Sequence, residues 1–195
     1  LGGRAAKVMQ HSDSGGTTED GGACGEPGLE HLVSVQDSAL ARPPWSTTAE
    51  LERFTHEAPP EGLFSEGAAV ATPASARWMR IIDAADLRER ISRRKDVGSL
   101  RQLRVSGRTP SGRVLAIEVV GADAKAVYKG RQDIEELLGP GSLRSTLLTL
   151  QPILDGRRIT RVFVWGDGTG HGLGFPRAGA IGQAGLGIAW RDTGG

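Results

Sequence analysis

Glycine spacing constrains the fold of this chain more than any other feature of its sequence. Every second residue from 166 to 174 is glycine, and Gly179, Gly182, Gly185 and Gly187 follow at short intervals. Because glycine lacks a Cβ, this density indicates turns, positive φ angles and places where the backbone approaches another group closely. The chain holds 29 glycines but only 10 prolines, which excludes a collagen-like sequence.

The bulk composition is that of one folded domain. The 195 residues are 38% hydrophobic and 24% charged, which is ordinary usage for a globular protein. The net charge is +1, so the sequence has no electrostatic footprint for nucleic acid. No apolar run approaches the roughly 18 residues of a membrane span. The chain begins at Leu1 rather than Met, and we expect its natural amino terminus to lie upstream.

Alternating and β-branched segments predict antiparallel strands. Residues 103–105 and 114–120 read as a hairpin joined by a turn at residues 109–112. Residues 126–128 and 159–165 read as further strands, and residues 4–10 as an opening strand. Without a regular alternation of strands and helices, the pattern favours an α+β fold over a doubly wound sheet.

Three short helices are expected among these strands. One spans residues 48–54, one is capped by Asp83 and carries Leu87 and Ile91 on one face, and one spans residues 132–138 before Gly139. Residues 42–76 are rich in Pro, Glu, Ser, Thr and Ala. We interpret them as a surface insertion that is poorly ordered toward its end, within a single domain covering residues 1–195.

The glycine-rich segment does not match a nucleotide-binding motif. It lacks both the glycine spacing of the dinucleotide fingerprint and the Gly-Lys-Ser/Thr of a phosphate loop. It does place glycine on both sides of His171, which bares the imidazole and would let a flat ligand such as a saccharide lie against the backbone. The alternative is a structural histidine, hydrogen-bonded within a tight turn.

Residues 11–18 form a second candidate segment. His11, Ser12, Asp13 and Ser14 precede Gly15 and Gly16, whose exposed backbone amides would bind an anion or a sugar. The alternative is a loop whose side chains cap its own backbone. His11 and Cys24 are only two candidate metal ligands, where structural zinc takes four, so we expect neither a metal nor a cofactor. The single cysteine also excludes an internal disulfide.

Several segments, in this order, resemble the stage II sporulation protein D family. They are listed here by their sequence: His11-Ser12-Asp13-Ser14-Gly15-Gly16-Thr17-Thr18; Leu32-Val33-Ser34-Val35-Gln36-Asp37; Ser111-Gly112-Arg113-Val114; Leu138-Gly139; Leu143-Arg144-Ser145-Thr146; and Gly170-His171-Gly172-Leu173-Gly174 with Gly179-Ala180 and Gly182. Each segment alone is weak, and the ordered set is specific. Pro176 and Arg177 depart from the Ser and Gln that are usual in the last segment.

The resemblance implies an extracytoplasmic bacterial domain that binds and remodels peptidoglycan glycan strands. The family includes a lytic transglycosylase that cleaves between N-acetylmuramic acid and N-acetylglucosamine and leaves a 1,6-anhydro sugar. This reaction needs a carboxyl group that first donates and then accepts a proton. The family's catalytic glutamate motif does not occur in this chain, and no other glutamate matches its position. The catalytic residue is therefore unassigned, and the chain resembles part of such an enzyme.

The resemblance also suggests which residues contact the glycan. They lie in the two glycine-containing loops, as His11, Ser12, Ser14, Gly15 and Gly16 in the first and Gly170, His171, Gly172 and Gly174 in the second. The competing hypothesis is a non-catalytic peptidoglycan-binding module that enhances a cell-wall amidase. A third is a domain that retains the scaffold and has lost the activity.

Overall fold

A computed structural model describes residues 7–25, 27–40, 45–58, 60–68 and 77–188 and has an α+β fold. Within these residues there are eight strands, four α-helices and one 3-10 helix. The strands are β1 Gln10–His11, β2 Arg77–Asp83, β3 Leu100–Arg108, β4 Val114–Gly121, β5 Lys125–Lys129, β6 Leu148–Asp155, β7 Arg158–Asp167 and β8 Phe175–Pro176. The helices are α1 Thr48–His56, α2 Ala84–Ser92, α3 Gly130–Leu138 and α4 Arg177–Gly185, with the 3-10 helix at Phe64–Gly67.

Two three-stranded antiparallel sheets form the body of the domain. Their strand orders are β2-β7-β6 and β3-β4-β5. The short strands β1 and β8 pair in parallel, Gln10 with Phe175 and His11 with Pro176. This pairing brings a segment near the beginning of the described chain against one near its end, beside the larger sheets.

The main core lies between the two larger sheets and helices α2 and α3. Val162 and Val164 of β7 are fully buried, as are Ile117 and Val119 of β4. Their period of two is what a strand with one face in the core requires. Leu87 and Ile91 lie one helical turn apart on α2 and are also fully buried, as expected for an amphipathic helix.

Helix α1 belongs to a second hydrophobic cluster. Thr47 and Glu50 form a reciprocal capping box at its start, which satisfies backbone N–H groups that would otherwise have no partner. Its Leu51 and Phe54 pack with Trp45, Leu63 and Leu147. Part of the predicted insertion thus covers the domain with buried apolar side chains. The last residues of this predicted insertion, 69–76, lie outside the described residues, so the expectation that they are poorly ordered is not tested.

Most of the predicted elements are confirmed. Helices α1 and α3 and the strands at residues 114–120, 126–128 and 159–165 form where the sequence predicts them, and Gly139 ends α3. Of the opening strand only β1, Gln10–His11, is formed within the described residues, and residues 1–6 lie outside them.

The predicted cap at Asp83 is wrong. Asp83 stands at the N-cap position of α2 but makes no side-chain capping bond. Its Oδ1 instead accepts a hydrogen bond from Nε of Arg161 at 3.0 Å, because Asp83 pairs with Arg161 across β2 and β7.

No helix among the described residues is long and apolar enough to cross a membrane.

Candidate functional site

The two glycine-containing loops predicted to carry the site lie directly against each other. Asp13 and Thr169 exchange backbone hydrogen bonds of 3.0 and 2.9 Å, and the N–H of Glu19 donates to the carbonyl of Gly172 at 2.8 Å. A Cβ on Gly170 would lie 2.8 Å from the Cβ of His11. Glycine at 170 is therefore required by the close packing of the loops as well as by its φ of 112°.

The two histidines of these loops have different surroundings. His11 is buried, and its Nδ1 donates to the carbonyl of Leu173 at 3.0 Å. Burial lowers the pKa of His11 to about 4, so the ring is neutral at pH 7. His171 is half-buried, and its Nδ1 accepts from the N–H of Leu173 at 3.0 Å. The proton of a neutral His171 therefore lies on Nε2, which makes that atom a donor. The ring centroids are 5.8 Å apart.

The predicted contact residues divide into a buried and a half-buried set. His11, Ser14, Gly15, Gly16 and Gly172 are buried, whereas Ser12, Gly170, His171 and Gly174 are half-buried. The buried residues hold the loops together, and the half-buried residues form the surface above them. We call this surface, made of Ser12, Gly170, His171 and Gly174, the loop surface.

Arg177 extends the loop surface. This exposed residue begins α4, and its Nη2 donates to Oγ of Ser12 at 3.3 Å. The N–H of Ala178 also donates to the carbonyl of Ser12 at 2.9 Å. Arg177, which departs from the motif that the last segment resembles, thus places a guanidinium beside a residue predicted to contact substrate.

A fully buried arginine holds the first loop from below. Arg113 is 2% exposed, and its Nη2 donates to the carbonyl of Ser14 at 2.7 Å while its Nη1 donates to the carbonyl of Thr17 at 3.0 Å. A Cβ on Gly172 would overlap the guanidinium, so Gly172 lets the second loop lie flat against the same group. Burial lowers the pKa of Arg113, while the nearby carboxylates of Glu19 and Asp13 oppose that shift. The fixed positive charge of arginine suits this role.

Glu19 is occupied by structural contacts. It is 3% exposed, its Oε2 accepts from Oγ1 of Thr109 at 2.8 Å, and its Oε1 accepts from the N–H of Asp20 at 2.8 Å. Burial raises its pKa, and the charge of Arg113 opposes the shift. Both oxygens of this buried carboxyl group are therefore engaged in hydrogen bonds within the protein.

Asp37 connects the first loop to helix α4. Its Oδ2 accepts from Oγ of Ser14 at 2.5 Å and its Oδ1 from Nε2 of Gln183 at 3.4 Å. A Cβ on Gly179 would overlap the carboxyl group, so the helix approaches Asp37 through a glycine. Burial, together with the nearby charge of Asp13, raises the pKa of Asp37 to about 6, and the hydrogen bonds from Ser14 and Gln183 oppose this shift.

The segments 111–114 and 143–146 also make contacts beneath the two loops. Oγ of Ser145 donates to the carbonyl of Asp167 at 2.5 Å, and the carbonyl of Arg144 accepts from the N–H of Gly170 at 2.8 Å. Asp167 is buried, and burial raises its pKa to about 7, with the charge of Arg77 opposing the shift. Segments far apart in the sequence therefore meet in one buried polar cluster under the loop surface.

Within the described residues no group of three or more His, Cys, Asp and Glu side chains is placed to hold a metal ion. His11 has a carbonyl partner for Nδ1, as described above, and Cys24 Sγ donates to the carbonyl of Gly21 at 3.3 Å.

Sequence reasoning missed the roles of Arg113 and Asp37. Both stand in segments that carry the resemblance, but neither was expected to touch the first loop. The sequence did carry a signal for both roles. A charged residue inside a short motif of uncharged residues needs a partner if the fold buries it. The partner itself was not readable, because Ser14 lies 99 residues from Arg113.

The comparison with curated proteins gave no match. Residues 27–174 match the model of a family described as a domain of unknown function, DUF8618. The matched range contains Asp37, Arg113 and the whole second loop through Gly174, and it ends before α4. Because it covers more than half of the 195 residues, the chain belongs to the DUF8618 family.

Proposed function

We propose that this domain binds peptidoglycan glycan strands and takes part in their remodelling, as part of a lytic transglycosylase-like domain. The observation that carries the proposal is the convergence of five of the six resembling segments, whereas the Leu138-Gly139 pair ends α3. The segments around His11, Asp37, Arg113, Ser145 and His171 are all joined by hydrogen bonds or close packing beneath one surface. Residues that maintain a common binding surface would need this proximity, whereas chance similarities would be scattered over the fold.

The loop surface has the chemistry that a saccharide requires. The half-buried His171 contributes an imidazole ring, Ser12 a hydroxyl, and the exposed Arg177 N–H donors. Sugar hydroxyls both donate and accept hydrogen bonds, so such a mixed set suits them. The loops are also rigidly held from below, which reduces the entropy lost on binding.

The proposed cleavage lies between N-acetylmuramic acid and N-acetylglucosamine. A carboxyl group protonates the glycosidic oxygen as the C1–O bond breaks, and the muramic 6-hydroxyl oxygen bonds to C1 while its proton passes to the carboxylate. Glu19 does not fill this role, because its oxygens are engaged with Thr109 and Asp20. This occupied carboxyl group favours a second candidate function, a non-catalytic peptidoglycan-binding module that enhances a cell-wall amidase. Both candidates imply an extracytoplasmic location in the bacterial envelope.

Binding and cleavage are tested separately. Purified glycan strands without stem peptides are titrated into the protein, and the products of long incubations are analysed by mass spectrometry for 1,6-anhydro ends. We expect binding that His171→Ala weakens about tenfold, equivalent to about 1.4 kcal/mol. His56→Ala is the matched control, because His56 is exposed and lies beside Trp165, with ring centroids 4.7 Å apart, instead of in either loop.

The outcomes separate the candidates. Strand binding with 1,6-anhydro products supports the transglycosylase. Strand binding without these products, together with faster release of stem peptides from peptide-bearing peptidoglycan by a cell-wall amidase when this domain is present than when it is absent, supports the enhancer module. Absence of strand binding contradicts both.

A further inference from the structure

A groove lies beside the loop surface, between residues 31–37 and helix α4. Its volume is about 520 Å³, which falls within the range of small-molecule binding sites. Leu32 and Val35 form one wall, Ala180 and Ala184 form the other, and Phe175 stands at the end next to the second loop. Phe175 is 53% exposed, so one side of its ring is accessible to a ligand in the groove.

The polar groups of the groove are held in fixed positions. The Asp37 carboxyl group lies at its base, anchored by Ser14 and approached by the amide of Gln183, which also lines the groove. A carboxylate has about four acceptor positions, and these two hydrogen bonds leave acceptor capacity for a ligand. At the rim, Nε2 of His31 donates to the carbonyl of Lys7 at 2.9 Å.

This combination matches one kind of sugar better than others. An acetamido group presents a methyl group, which prefers an apolar wall, and an N–H, which prefers a carboxylate. The apolar face of a pyranose ring packs well on an exposed aromatic ring. A sugar without the acetamido group would leave the alanine wall unfilled and the Asp37 carboxylate without the N–H donor.

We propose that this groove binds one N-acetylhexosamine residue, with the acetamido N–H donated to Asp37 and the sugar ring packed on Phe175. The inference deepens the proposed function and rests on it, since it names the sugar that a glycan strand would place beside the loop surface. Gly174 lies in both the loop surface and the groove lining, so one strand can contact the two together.

Two oligosaccharides that differ only at C2 test the proposal. Chitotriose and cellotriose have the same β-1,4-linked glucose backbone, and only chitotriose carries acetamido groups. By isothermal titration calorimetry we expect chitotriose to bind at least tenfold more tightly than cellotriose. Equal affinity, or no chitotriose binding at millimolar concentration, would overturn the proposal.

Variants locate the binding. Ala184→Trp fills the groove from an exposed position on α4 and is expected to weaken chitotriose binding at least tenfold. Ile181→Trp is the matched control, because Ile181 is 43% exposed on the same helix and does not line the groove. Phe175→Ala removes the exposed ring without disturbing the core and is expected to weaken binding as well. If Ala184→Trp and Phe175→Ala both bind like the wild type, the groove is not the site.

The proposal and the proposed function fail in different ways. If strands bind, the variants Ala184→Trp and Phe175→Ala have no effect and chitotriose is not preferred, the domain binds glycans but not through the groove. If the variants abolish chitotriose binding and peptidoglycan strands do not bind, the groove binds the sugar but the proposed peptidoglycan function is refuted.

Discussion

Gly182→Ala should destabilise the protein, against the usual effect of this change in a helix. Gly182 lies inside α4, and its φ is not positive. At an unhindered helix position, replacing glycine with alanine stabilises by about 1 kcal/mol. A Cβ at 182, however, would overlap the carbonyl oxygen and carbon of Phe64 in the 3-10 helix. Because the obstacle is backbone, no side-chain rotation relieves it, and α4 must move.

The magnitude follows from these opposed effects. Overpacking costs typically 1–3 kcal/mol, and a backbone clash of this kind lies at the upper end, so the net loss should be about 1–2 kcal/mol after the helix-propensity gain. In a domain of this length that corresponds to a fall in Tm of about 2–8 °C. Because α4 carries Ala180, Gln183 and Ala184 of the groove, the same variant should also weaken chitotriose binding.

Urea denaturation of matched variants measures the effect. Gly185→Ala is the control, because Gly185 ends the same helix and a Cβ there would have no heavy atom within 4 Å. We expect Gly185→Ala to be neutral or to stabilise by up to about 1 kcal/mol. If Gly182→Ala is as stable as the wild type or more so, the close approach of α4 to Phe64 is refuted.

Three further predictions concern the buried cluster, the second hydrophobic cluster and pH. Arg113→Met should lower the free energy of unfolding by about 3–5 kcal/mol in urea denaturation, because it leaves the buried carbonyl of Ser14 and the half-buried carbonyl of Thr17 without their donor and Glu19 without its cation. A loss below about 1 kcal/mol would contradict these contacts. Leu51→Ala should lower the free energy of unfolding by about 2–5 kcal/mol, because Leu51 is 1% exposed. Arg53→Ala, at an exposed position of the same helix, should be nearly neutral. Equal effects of the two changes would show that α1 is not packed on the domain. For Asp37, burial raises the pKa from 3.8 to about 6, so its ionisation weakens the folded state as the pH rises through this window. The free energy of unfolding of Asp37→Asn, relative to that of the wild type, should therefore increase by about 2 kcal/mol between pH 4 and pH 7. His11 and Asp167 titrate in both proteins, so their contributions cancel in this comparison. If the stability difference between Asp37→Asn and the wild type stays constant with pH, the burial of an ionisable Asp37 is contradicted.

The sequence predicted elements whose own residues determine their conformation. Strands β4 and β7 are rich in β-branched residues with a clear period of two, and α3 ends at a glycine with a φ of 138°. Strand β6 was missed because Pro152 interrupts its pattern. Proline is tolerated there because β6 is at the edge of its sheet. Strand β2 was missed because Arg77 and Arg80 obscure its alternation.

Helix α4 could not be predicted from local propensity. It contains three glycines in nine residues, a composition that favours loops. Two of them are explained only by the folded structure, since Gly179 faces Asp37 and Gly182 faces Phe64. Tertiary packing therefore requires glycine at positions where the sequence alone indicates a flexible segment.

The candidate site was predicted in part. The sequence singled out the two loops, and the structure brings them together. It did not indicate that His11 and Ser14 are buried, because their burial depends on Arg113 and Asp37. Such long-range partners of a polar cluster leave no periodic pattern in the sequence.

Calorimetric titration of the protein with purified peptidoglycan glycan strands tests glycan recognition by this domain most directly. We expect saturable binding to these strands and at least tenfold weaker binding to cello-oligosaccharides of the same length. We also expect His171→Ala to weaken strand binding about tenfold, whereas His56→Ala should not. Absence of saturable binding by the wild-type protein would contradict the claim that this domain recognises glycan strands.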